Sequence, residues 1–317
     1  MIVVVEHDAG ALADVSRQAL TFARGVGESL HAVAFGEGAP QAIAAAGAYG
    51  AVTGTDVRAA GAYAPAAWAQ VLAEVVSTSG GSAVVAAGTD RGNELLAHLG
   101  AKIDAPFVAN CVSAEADGEG WRVSRQRWGG SLLEDARVTG TPVLLSVAPY
   151  AVADDPGDAP STVEVTSVEP EPSDDDLRAR VARVEAAEGT SVSLGDAKLV
   201  VGGGRGVGSA DGFASLDALA AALGGVVGVS RAVTSAGWRP HAEQIGQTGE
   251  RIAPDLYIAC GISGASQHMV GCRGADRLLA INDDEDAPIL ARSDYAVIGD
   301  LHQVVPAIVA ELERRRG

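Results

Sequence analysis

Apolar runs alternate with stretches of helical periodicity in the first half of the chain. The runs MIVVVEH, LHAVAFG, SAVVAAGT and PVLLSVAP have the continuous hydrophobic character of strands buried on both faces. Between the first two runs, apolar residues recur at helical spacing from Val15 to Val26, and Gly27 is placed to end that helix. A second helix is predicted at NELLAHLGAKI, residues 93–103. This alternation predicts an α/β domain in which helices flank a mainly parallel sheet.

Two segments break this rhythm. Residues 115–138 consist of two extended runs around turns and predict an antiparallel excursion at the sheet edge. Residues 153–176 are rich in proline and acid around the strand-like run STVEVTSV, which predicts an exposed edge strand. A short helix, LRARVARVEA (177–186), is expected next, and AEGTSVSLGDA after it has the composition of a linker. We therefore predict two domains, residues 1–186 and 187–317.

The second half restarts the alternation. Its predicted strands are AKLVVGGG, GVVGVS, LYIACG, RLLAIN and YAVIG, with a helix through FASLDALAAALG. The last helix is apolar on one face from Leu301 to Leu312, and Asp300 with Gln303 gives it a capping-box pattern. Pro306 is expected to loosen the first turns of that helix. The pattern predicts a second mainly parallel sheet flanked by helices.

The composition restricts the classes of partner. With a formal net charge of −18 over 317 residues, nucleic acid and anionic membrane surfaces are poor partners. The longest apolar tract, residues 218–229, is shorter than the roughly 18 residues that span a bilayer. No targeting segment is visible before the first strand. We therefore expect a cytoplasmic protein that does not insert directly into a membrane.

A glycine-rich turn, VVGGGRGVGS at residues 200–209, follows the first strand of the second half. Such a turn is a usual place for backbone amides to receive a phosphate. Its spacing matches neither GxGxxG nor the P-loop pattern GxxxxGK[ST], so the turn alone does not identify a nucleotide site. Arg205 within the turn favours phosphate binding, because a guanidinium can hold a phosphate through two hydrogen bonds.

Polar residues follow four of the predicted strands: Arg231 after GVVGVS, Ser263 and His268 after LYIACG, Asn282 after RLLAIN, and Asp300 after YAVIG. Each has a structural alternative, which is an ion pair for the arginine, a helix cap for the serine and the aspartate, a packed helix position for the histidine and a turn for the asparagine. The carboxyl ends of parallel strands share one edge of the sheet, where open α/β folds bind their ligands. Taken together, these residues predict a binding site.

Neither hydrolytic chemistry nor a metal centre is indicated. The sequence contains no GxSxG elbow and no HExxH spacing. Its three cysteines, Cys111, Cys260 and Cys272, are far apart and form no CxxC pair, which argues against a zinc site and against a disulfide framework. The predicted site is suited to binding a ligand rather than to hydrolysing one.

Long motifs of the second half closely resemble the α subunit of electron transfer flavoprotein, the family that includes the FixB proteins. The resemblance is carried by VVGGGRG, VGVSRAVTSAGW, QIGQTGERIAPDLYIACGISGASQHMVG, LLAINDDEDAPI and DYAVIGDLHQVVPAIVAEL. It covers the second half without evident gaps. In the first half, IVVVEHDAGAL and the βαβ arrangement fit the amino-terminal domain of that family.

The resemblance implies an electron carrier without substrate turnover of its own. The C-terminal domain is then a Rossmann-like domain that binds FAD, and the N-terminal domain contacts a β subunit that carries a structural AMP. Such a heterodimer passes single electrons from flavin dehydrogenases, such as the acyl-CoA dehydrogenases of fatty acid β-oxidation, to a membrane quinone-reducing partner, the electron transfer flavoprotein–quinone oxidoreductase.

The resemblance also implies FAD contacts for a set of residues: Arg205, Ser230, Arg231, Gln244, Ile245, Gly246, Gln247, Thr248, Ser263, Gly264, Ala265, Ser266, Gln267, His268, Asn282, Asp300 and Leu301. Arg231 matches the arginine that lies over the isoalloxazine, Thr248 the threonine near flavin N5, and His268 the histidine near the C2 carbonyl. Arg205 is expected on the phosphate side of FAD, and Asn282 and Asp300 are expected towards its AMP half. A cation or donor near the ring favours addition of one electron, so Arg231 and His268 are the candidates for tuning the potential.

Two alternatives stay open at this point. A nicotinamide-dependent dehydrogenase could share the α/β layout, but a standard NAD-binding unit has an acid at the end of the second strand, where this chain has Ser230 and Arg231. An electron-bifurcating member of the same family would hold a second flavin in place of AMP, and the β chain largely decides that choice.

Overall fold

The computed structural model describes residues 1–58, 62–118, 120–128, 130, 132–157, 162–169, 171–183 and 193–316. The chain divides into two compact units, Met1–Ala186 and Ala187–Gly317. Each unit contains a mainly parallel sheet flanked by helices, which confirms the predicted α/β class. Within these described residues, no helix combines the length and the apolar character needed to cross a membrane.

The N-terminal unit is built on a nine-stranded sheet. Its strands, including a small separate hairpin, are β1 (Ile2–Val4), β2 (His7–Asp8), β3 (Ala11–Leu12), β4 (Leu30–Phe35), β5 (Ala51–Val57), β6 (Ala83–Ala87), β7 (Phe107–Asp117), β8 (Gly120–Arg127), β9 (Leu132–Thr139), β10 (Val143–Val147) and β11 (Glu164–Val168). The sheet order is β11-β5-β4-β1-β6-β10-β7-β8-β9, and β2 pairs with β3. Strands β11 through β7 are parallel, whereas β8 and β9 add antiparallel strands at one edge. Both edge predictions, the antiparallel excursion and the strand in the acidic segment, are confirmed.

Helices cover both faces of this sheet. They are α1 (Asp14–Gly25), α2 (Ala39–Ala46), α3 (Pro65–Ser79) and α4 (Asp90–Ile103). One core packs Leu20 of α1 and Ile43 of α2 against the sheet, and the other packs Leu72 of α3 and Leu96 of α4 against the opposite face. Beyond α1, Gly27 adopts a φ of 87°, a conformation that favours glycine and ends the helix as expected.

The acidic segment after β10 is attached to this unit by ion pairs. The carboxylate of Asp154 accepts hydrogen bonds from Arg17 at 2.7 Å and from the hydroxyl of Tyr49 at 2.6 Å. Asp155 pairs with Arg24 at 2.9 Å. Part of the excess acid in this stretch is therefore neutralised by helix α1, and the segment leads the chain to the edge strand β11.

The helix predicted at residues 177–186 is wrong over residues 177–183, which form a turn, bends and irregular backbone. The remaining positions, 184–186, lie outside the described residues. Just before this stretch, Asp176 pairs with Lys102 of α4 at 2.8 Å. Tertiary contacts such as this ion pair override the local sequence pattern, which favours a helix.

The C-terminal unit contains a five-stranded, fully parallel sheet. Its strands are β12 (Leu199–Gly203), β13 (Val226–Val229), β14 (Leu256–Cys260), β15 (Leu278–Asn282) and β16 (Tyr295–Ile298). The order β13-β12-β14-β15-β16 is that of a doubly wound fold, in which the direction of strand addition reverses between β12 and β14. The Rossmann-like layout predicted for this half is confirmed.

The helices of this unit are α5 (Ala214–Leu223), α6 (Arg231–Ser235), α7 (Ser266–Cys272) and α8 (Leu301–Arg316). Helices α5 and α8 pack on one face through residues such as Leu219 and Val305. The other face is covered by Cys272 of α7 and by loop residues Ile245 and Ile289. One face of the sheet is therefore covered mainly by the loops that shape the site.

Helix α8 differs from its prediction in two details. The helix runs without a break through Pro306, so the expected loosening does not interrupt it. Asp300 precedes the helix, but its carboxylate accepts the backbone N–H of His302 at 2.8 Å rather than that of Gln303. Asp300 is thus an N-terminal cap without the reciprocal capping box.

Candidate functional site

A cleft of about 640 Å³ lies at the carboxyl edge of the C-terminal sheet. It is lined by the turns that follow β12, β13, β14 and β15 and by the loop at residues 244–248. The cleft therefore lies beside the point between β12 and β14 where the strand order reverses. Doubly wound folds bind their ligands at this place.

Most of the predicted site residues line this cleft: Arg205, Ser230, Arg231, Gln244, Ile245, Gly246, Gln247, Thr248, Ser263, Gly264, Ala265, Gln267, His268 and Asn282. Three do not. Ser266 is exposed at the start of α7, Asp300 caps α8, and Leu301 is buried in the core of the unit. Ligand contacts stay a prediction at all of the positions in the set.

Further residues line the cleft that the sequence motifs did not single out: Gly206, Ala232, Ser235, Gly261, Ile262 and Asp284. Each lies within two positions of a predicted residue, except Ser235 at the far end of α6. Extending each motif to the end of its turn or short helix would have found them. Asp284 adds a carboxylate to a cleft that otherwise carries two arginines.

The two arginines of the cleft are available to a ligand. Within the described part of the chain, neither Arg205 nor Arg231 makes an ion pair or a side-chain hydrogen bond, although the protein carries a net charge of −18. By contrast, Arg239 nearby in the sequence pairs with Asp217 at 3.2 Å and with Glu243 at 2.6 Å. An anionic group entering the cleft can therefore recruit two guanidinium groups without breaking an existing ion pair.

The loop 244–248 is attached on two sides. The backbone N–H of Ile245 donates to the carbonyl of Val229 on β13 at 2.8 Å, and that of Gln247 donates to the carbonyl of Gln267 on α7 at 2.8 Å. Gly246 between them has a φ of 144°, which favours glycine. The sequence QIGQT thus forms a bridge from β13 to α7 along the wall of the cleft.

A hydrogen-bonded chain holds Thr248 at the end of this loop. The side chain of Gln244, which is buried, donates its amide to the hydroxyl of Thr248 at 3.0 Å. Its amide oxygen accepts from the hydroxyl of Thr234 on α6 at 2.6 Å. In this arrangement the Thr248 hydroxyl accepts from Gln244, so its own proton can be donated to a ligand in the cleft.

Four backbone amides of the glycine-rich turn after β12 are used within the protein. The backbone N–H of Gly204 donates to Cys260 and that of Gly206 donates to Gly261, while those of Val207 and Gly208 are used within the turn. The glycines instead allow close backbone approach, because a Cβ on Gly206 would lie 2.8 Å from the Cα of Gly261. The expectation that these amides receive a phosphate is therefore wrong for the four amides named.

Asn282 shapes the turn after β15, which was its structural alternative, and it also lines the cleft. Its side-chain N–H donates to the carbonyl of Ile262 at 2.9 Å, and its oxygen accepts the backbone N–H of Asp284 at 3.1 Å. The side chain is buried. Asn282 thereby joins the turns after β14 and β15, which fixes that end of the cleft.

Two polar side chains of the cleft are buried with unused hydrogen-bonding atoms. The hydroxyl oxygen of Ser230 and Nδ1 of His268 have no hydrogen-bond partner among the described residues. The other ring nitrogen of His268 lies 2.9 Å from the hydroxyl of Tyr257. Burial lowers the pKa of His268 to about 4, so the ring is neutral at physiological pH.

Comparison with known families accounts for both units. A model described as "Electron transfer flavoprotein domain" matches residues 1–173, and a model described as "Electron transfer flavoprotein FAD-binding domain" matches residues 193–273. The second match contains the turns after β12, β13 and β14 and the loop 244–248. The chain belongs to the electron transfer flavoprotein α-subunit family. The resemblance seen in the sequence is confirmed, and the C-terminal unit is its FAD-binding domain.

Individual relatives are similar in sequence to both units of this chain. Electron transfer flavoprotein α subunits of Mycobacterium leprae and Mycobacterium tuberculosis are each 37% identical to it, over 100% of this chain and 99% of theirs. A protein named FixB from Clostridium saccharobutylicum is 34% identical over 78% of this chain and 75% of its own. The similarity therefore includes both units and is not limited to the cofactor domain.

The cleft of this electron transfer flavoprotein chain suits FAD. Arg205 and Arg231 are unpaired and available to its pyrophosphate and to the carbonyl oxygens of its ring, and the buried hydroxyl of Ser230 lacks a partner that a cofactor could supply. A volume of about 640 Å³ lies in the usual range for ligand pockets. The match to an FAD-binding domain gives no support to the alternative of a nicotinamide-dependent dehydrogenase.

Acidification is expected to lower the free energy of unfolding of the chain because His268 is buried in its neutral form. Burial lowers the pKa of its imidazole to about 4, below the ordinary value of 6.5 that an unfolded chain has. As the pH falls, the unfolded chain binds this proton first, so the stability from this group is present above pH 6.5 and is lost towards pH 4. Between pH 7 and pH 5, the loss amounts to about 2 kcal/mol of the free energy of unfolding.

Urea unfolding of the chain and of His268→Gln at pH 7 and pH 5 measures this contribution. The variant is expected to lose about 2 kcal/mol less than the native chain, because glutamine does not titrate. His302→Gln is the matched control, since His302 is exposed on α8. A variant with the same pH dependence as the native chain would contradict the assignment.

Proposed function

We propose that this chain is the α subunit of a heterodimeric electron transfer flavoprotein, which carries single electrons from flavin dehydrogenases such as acyl-CoA dehydrogenases to a membrane quinone oxidoreductase. The observation that best supports this function is the cleft at the strand-order reversal, with two unpaired arginines and the anchored loop 244–248. Among the described residues of this cleft, the Ser230 hydroxyl and the His268 ring are not hydrogen-bonded to each other as a nucleophile and its base would be, which fits a carrier better than an enzyme acting on its own substrate.

FAD supplies the electron-accepting ring, and the chain supplies its surroundings. Arg205 and Arg231 bind the anionic and electron-rich parts of the cofactor. Thr248 offers a hydroxyl proton whose direction is set by Gln244. His268 remains neutral and buried, so it adds no charge to the site. Of the described residues that line the cleft, the charged ones in this proposal are therefore Arg205, Arg231 and Asp284.

The N-terminal unit supports the assignment of AMP to the partner β subunit. Its own strand order reverses between β1 and β6, where a nucleotide would bind. That place holds a cavity of only about 30 Å³, closed by Trp68 and Arg91. Glu6 also lies there, with its carboxylate accepting a hydrogen bond from Thr89, the residue that caps α4. A carboxylate at this helix N-terminus disfavours a phosphate, so we assign this unit to β-subunit contact rather than to nucleotide binding.

Co-expression with the β subunit tests the proposal. The purified heterodimer is expected to be yellow and to contain one FAD and one AMP, and to be reduced by an acyl-CoA dehydrogenase with its substrate. Cofactors are counted after denaturation by absorbance and chromatography. Two flavins per heterodimer would favour an electron-bifurcating member, and a colourless heterodimer that does not take up added FAD would overturn the proposal.

A further inference from the structure

Tyr257 lies on β14 with its hydroxyl enclosed by protein. The residue is 0% exposed, and among the described residues its hydroxyl has one hydrogen-bond partner, Nε2 of His268 at 2.9 Å. The neighbouring strand makes room for it, because a Cβ on Gly202 of β12 would lie 2.2 Å from the Tyr257 oxygen. Burial raises the pKa of this phenol, so it keeps its proton.

The hydrogen bond between the Tyr257 hydroxyl and Nε2 of His268 can run in either direction, and the surroundings favour one of the two. If Nε2 of His268 carried the ring proton, the phenol would have to accept, and its own proton would be buried without an acceptor. Nδ1, which is buried and has no partner among the described residues, would then be an unused acceptor as well. If the phenol donates to Nε2, the phenol proton has an acceptor, the ring proton stays on Nδ1, and only the Nδ1–H is left for a ligand in the cleft.

The titratable neighbours of Tyr257 are uncharged. The other titratable groups that act on Tyr257 are the thiols of Cys260 on β14 and Cys272 on α7. Burial raises the pKa of both thiols to about 12, so both are neutral. These thiols therefore do not compete with hydrogen bonding in setting the proton position in the imidazole.

We propose that Tyr257 is a positioning residue of the FAD site: its hydroxyl donates to Nε2 of His268 and keeps the ring proton on Nδ1. His268 then meets a ligand in the cleft as a neutral donor held in one orientation, and not as an imidazolium. Its consequence for the cofactor rests on the proposed function, whereas the proton position belongs to the chain itself. Gly202 is required for this arrangement, because only glycine leaves space for the phenol of Tyr257.

Nitrogen NMR of the FAD-loaded heterodimer tests the proposal, with the histidines of this chain labelled with ¹⁵N and His268 assigned from the spectrum of His268→Gln. The expected spectrum has a pyrrole-type Nδ1 and a pyridine-type Nε2 for His268. Tyr257→Phe removes only the hydroxyl and is expected to shift the ratio of the two neutral forms about fivefold or more. Tyr295→Phe, whose side chain is exposed, is the matched control and is expected to leave the ratio unchanged.

A pyridine-type Nδ1 in the native protein would overturn the proposal, as would a folded Tyr257→Phe variant with the native ratio. If Tyr257→Phe fails to fold, the native spectrum alone decides, because the two arrangements give opposite assignments of the two nitrogens. The same spectrum recorded on the chain without cofactor separates this proposal from the proposed function. A chain that binds no FAD but shows the expected nitrogens would contradict only the latter.

Discussion

Replacing Gly271 with alanine is expected to weaken FAD binding about 5- to 150-fold. Gly271 lies in α7 against the loop 244–248, and a Cβ there would be 2.2 Å from the backbone nitrogen of Gly246 and 2.4 Å from its Cα. Backbone atoms cannot rotate away as a flexible side chain can, so the loop must move. Overpacking of this kind costs about 1–3 kcal/mol, and here it would destabilise the loop conformation that lines the cleft.

The affinity of the heterodimer for FAD, measured by quenching of flavin fluorescence, checks this prediction. Gly195→Ala is the matched control in the same unit, because a Cβ there meets its nearest atoms at 3.9 Å, an ordinary contact distance. Equal FAD affinities for the two variants would show that the contact between α7 and the loop does not shape the cofactor site.

Replacing Arg231 with alanine is expected to leave FAD bound and to lower the potential of its first one-electron step by up to about 170 mV. Reduction adds negative charge to the ring, and an unpaired guanidinium that lines the cleft is expected to stabilise it. Two unit charges about 4 Å apart interact by roughly 4 kcal/mol at an effective dielectric constant near 20. About 59 mV corresponds to each tenfold change in a one-electron step, which gives the stated upper value. Exposure to solvent reduces the shift below it.

A spectroelectrochemical titration of the heterodimer measures both potentials. Arg231→Lys keeps the charge and is expected to retain most of the native potential, although a lysine cannot form the same two-pronged contact. Arg239→Ala is the second control, since Arg239 is already paired with Asp217 and Glu243. An unchanged first potential in Arg231→Ala would remove this residue from the tuning of the flavin.

The architecture was predictable where local pattern and burial agree. Continuous apolar runs give the parallel strands, and the polar residues at their carboxyl ends locate the cleft. Strand β5, AVTGTDV, was missed because its Thr55 and Asp56 are polar, yet both are buried. Their burial depends on distant partners, since Asp56 accepts a hydrogen bond from Ser167 on β11 and the Thr55 hydroxyl pairs with His31 on β4. Local periodicity contains no information about such partners.

In the site, residue types were easier to predict than their hydrogen bonds. The motifs placed Arg205, Gln244 and His268 at the cleft, but they could not show that the amides of the glycine turn are already used. The partnership of Tyr257 with His268 was also invisible, because a tyrosine in a buried strand has the sequence pattern of a core residue. These features depend on backbone register and on packing between strand and helix, which appear only once the sheet is assembled.

The two-sided attachment of the loop 244–248 has a consequence for cofactor loading. Because the hydrogen bonds to Val229 and Gln267 are made within the chain itself and need no ligand atom, FAD is expected to meet a preorganised wall. Little of its binding free energy is then spent on ordering the backbone, and association need not wait for a conformational rearrangement. Exchange of the cofactor is in that case governed mainly by how slowly it leaves.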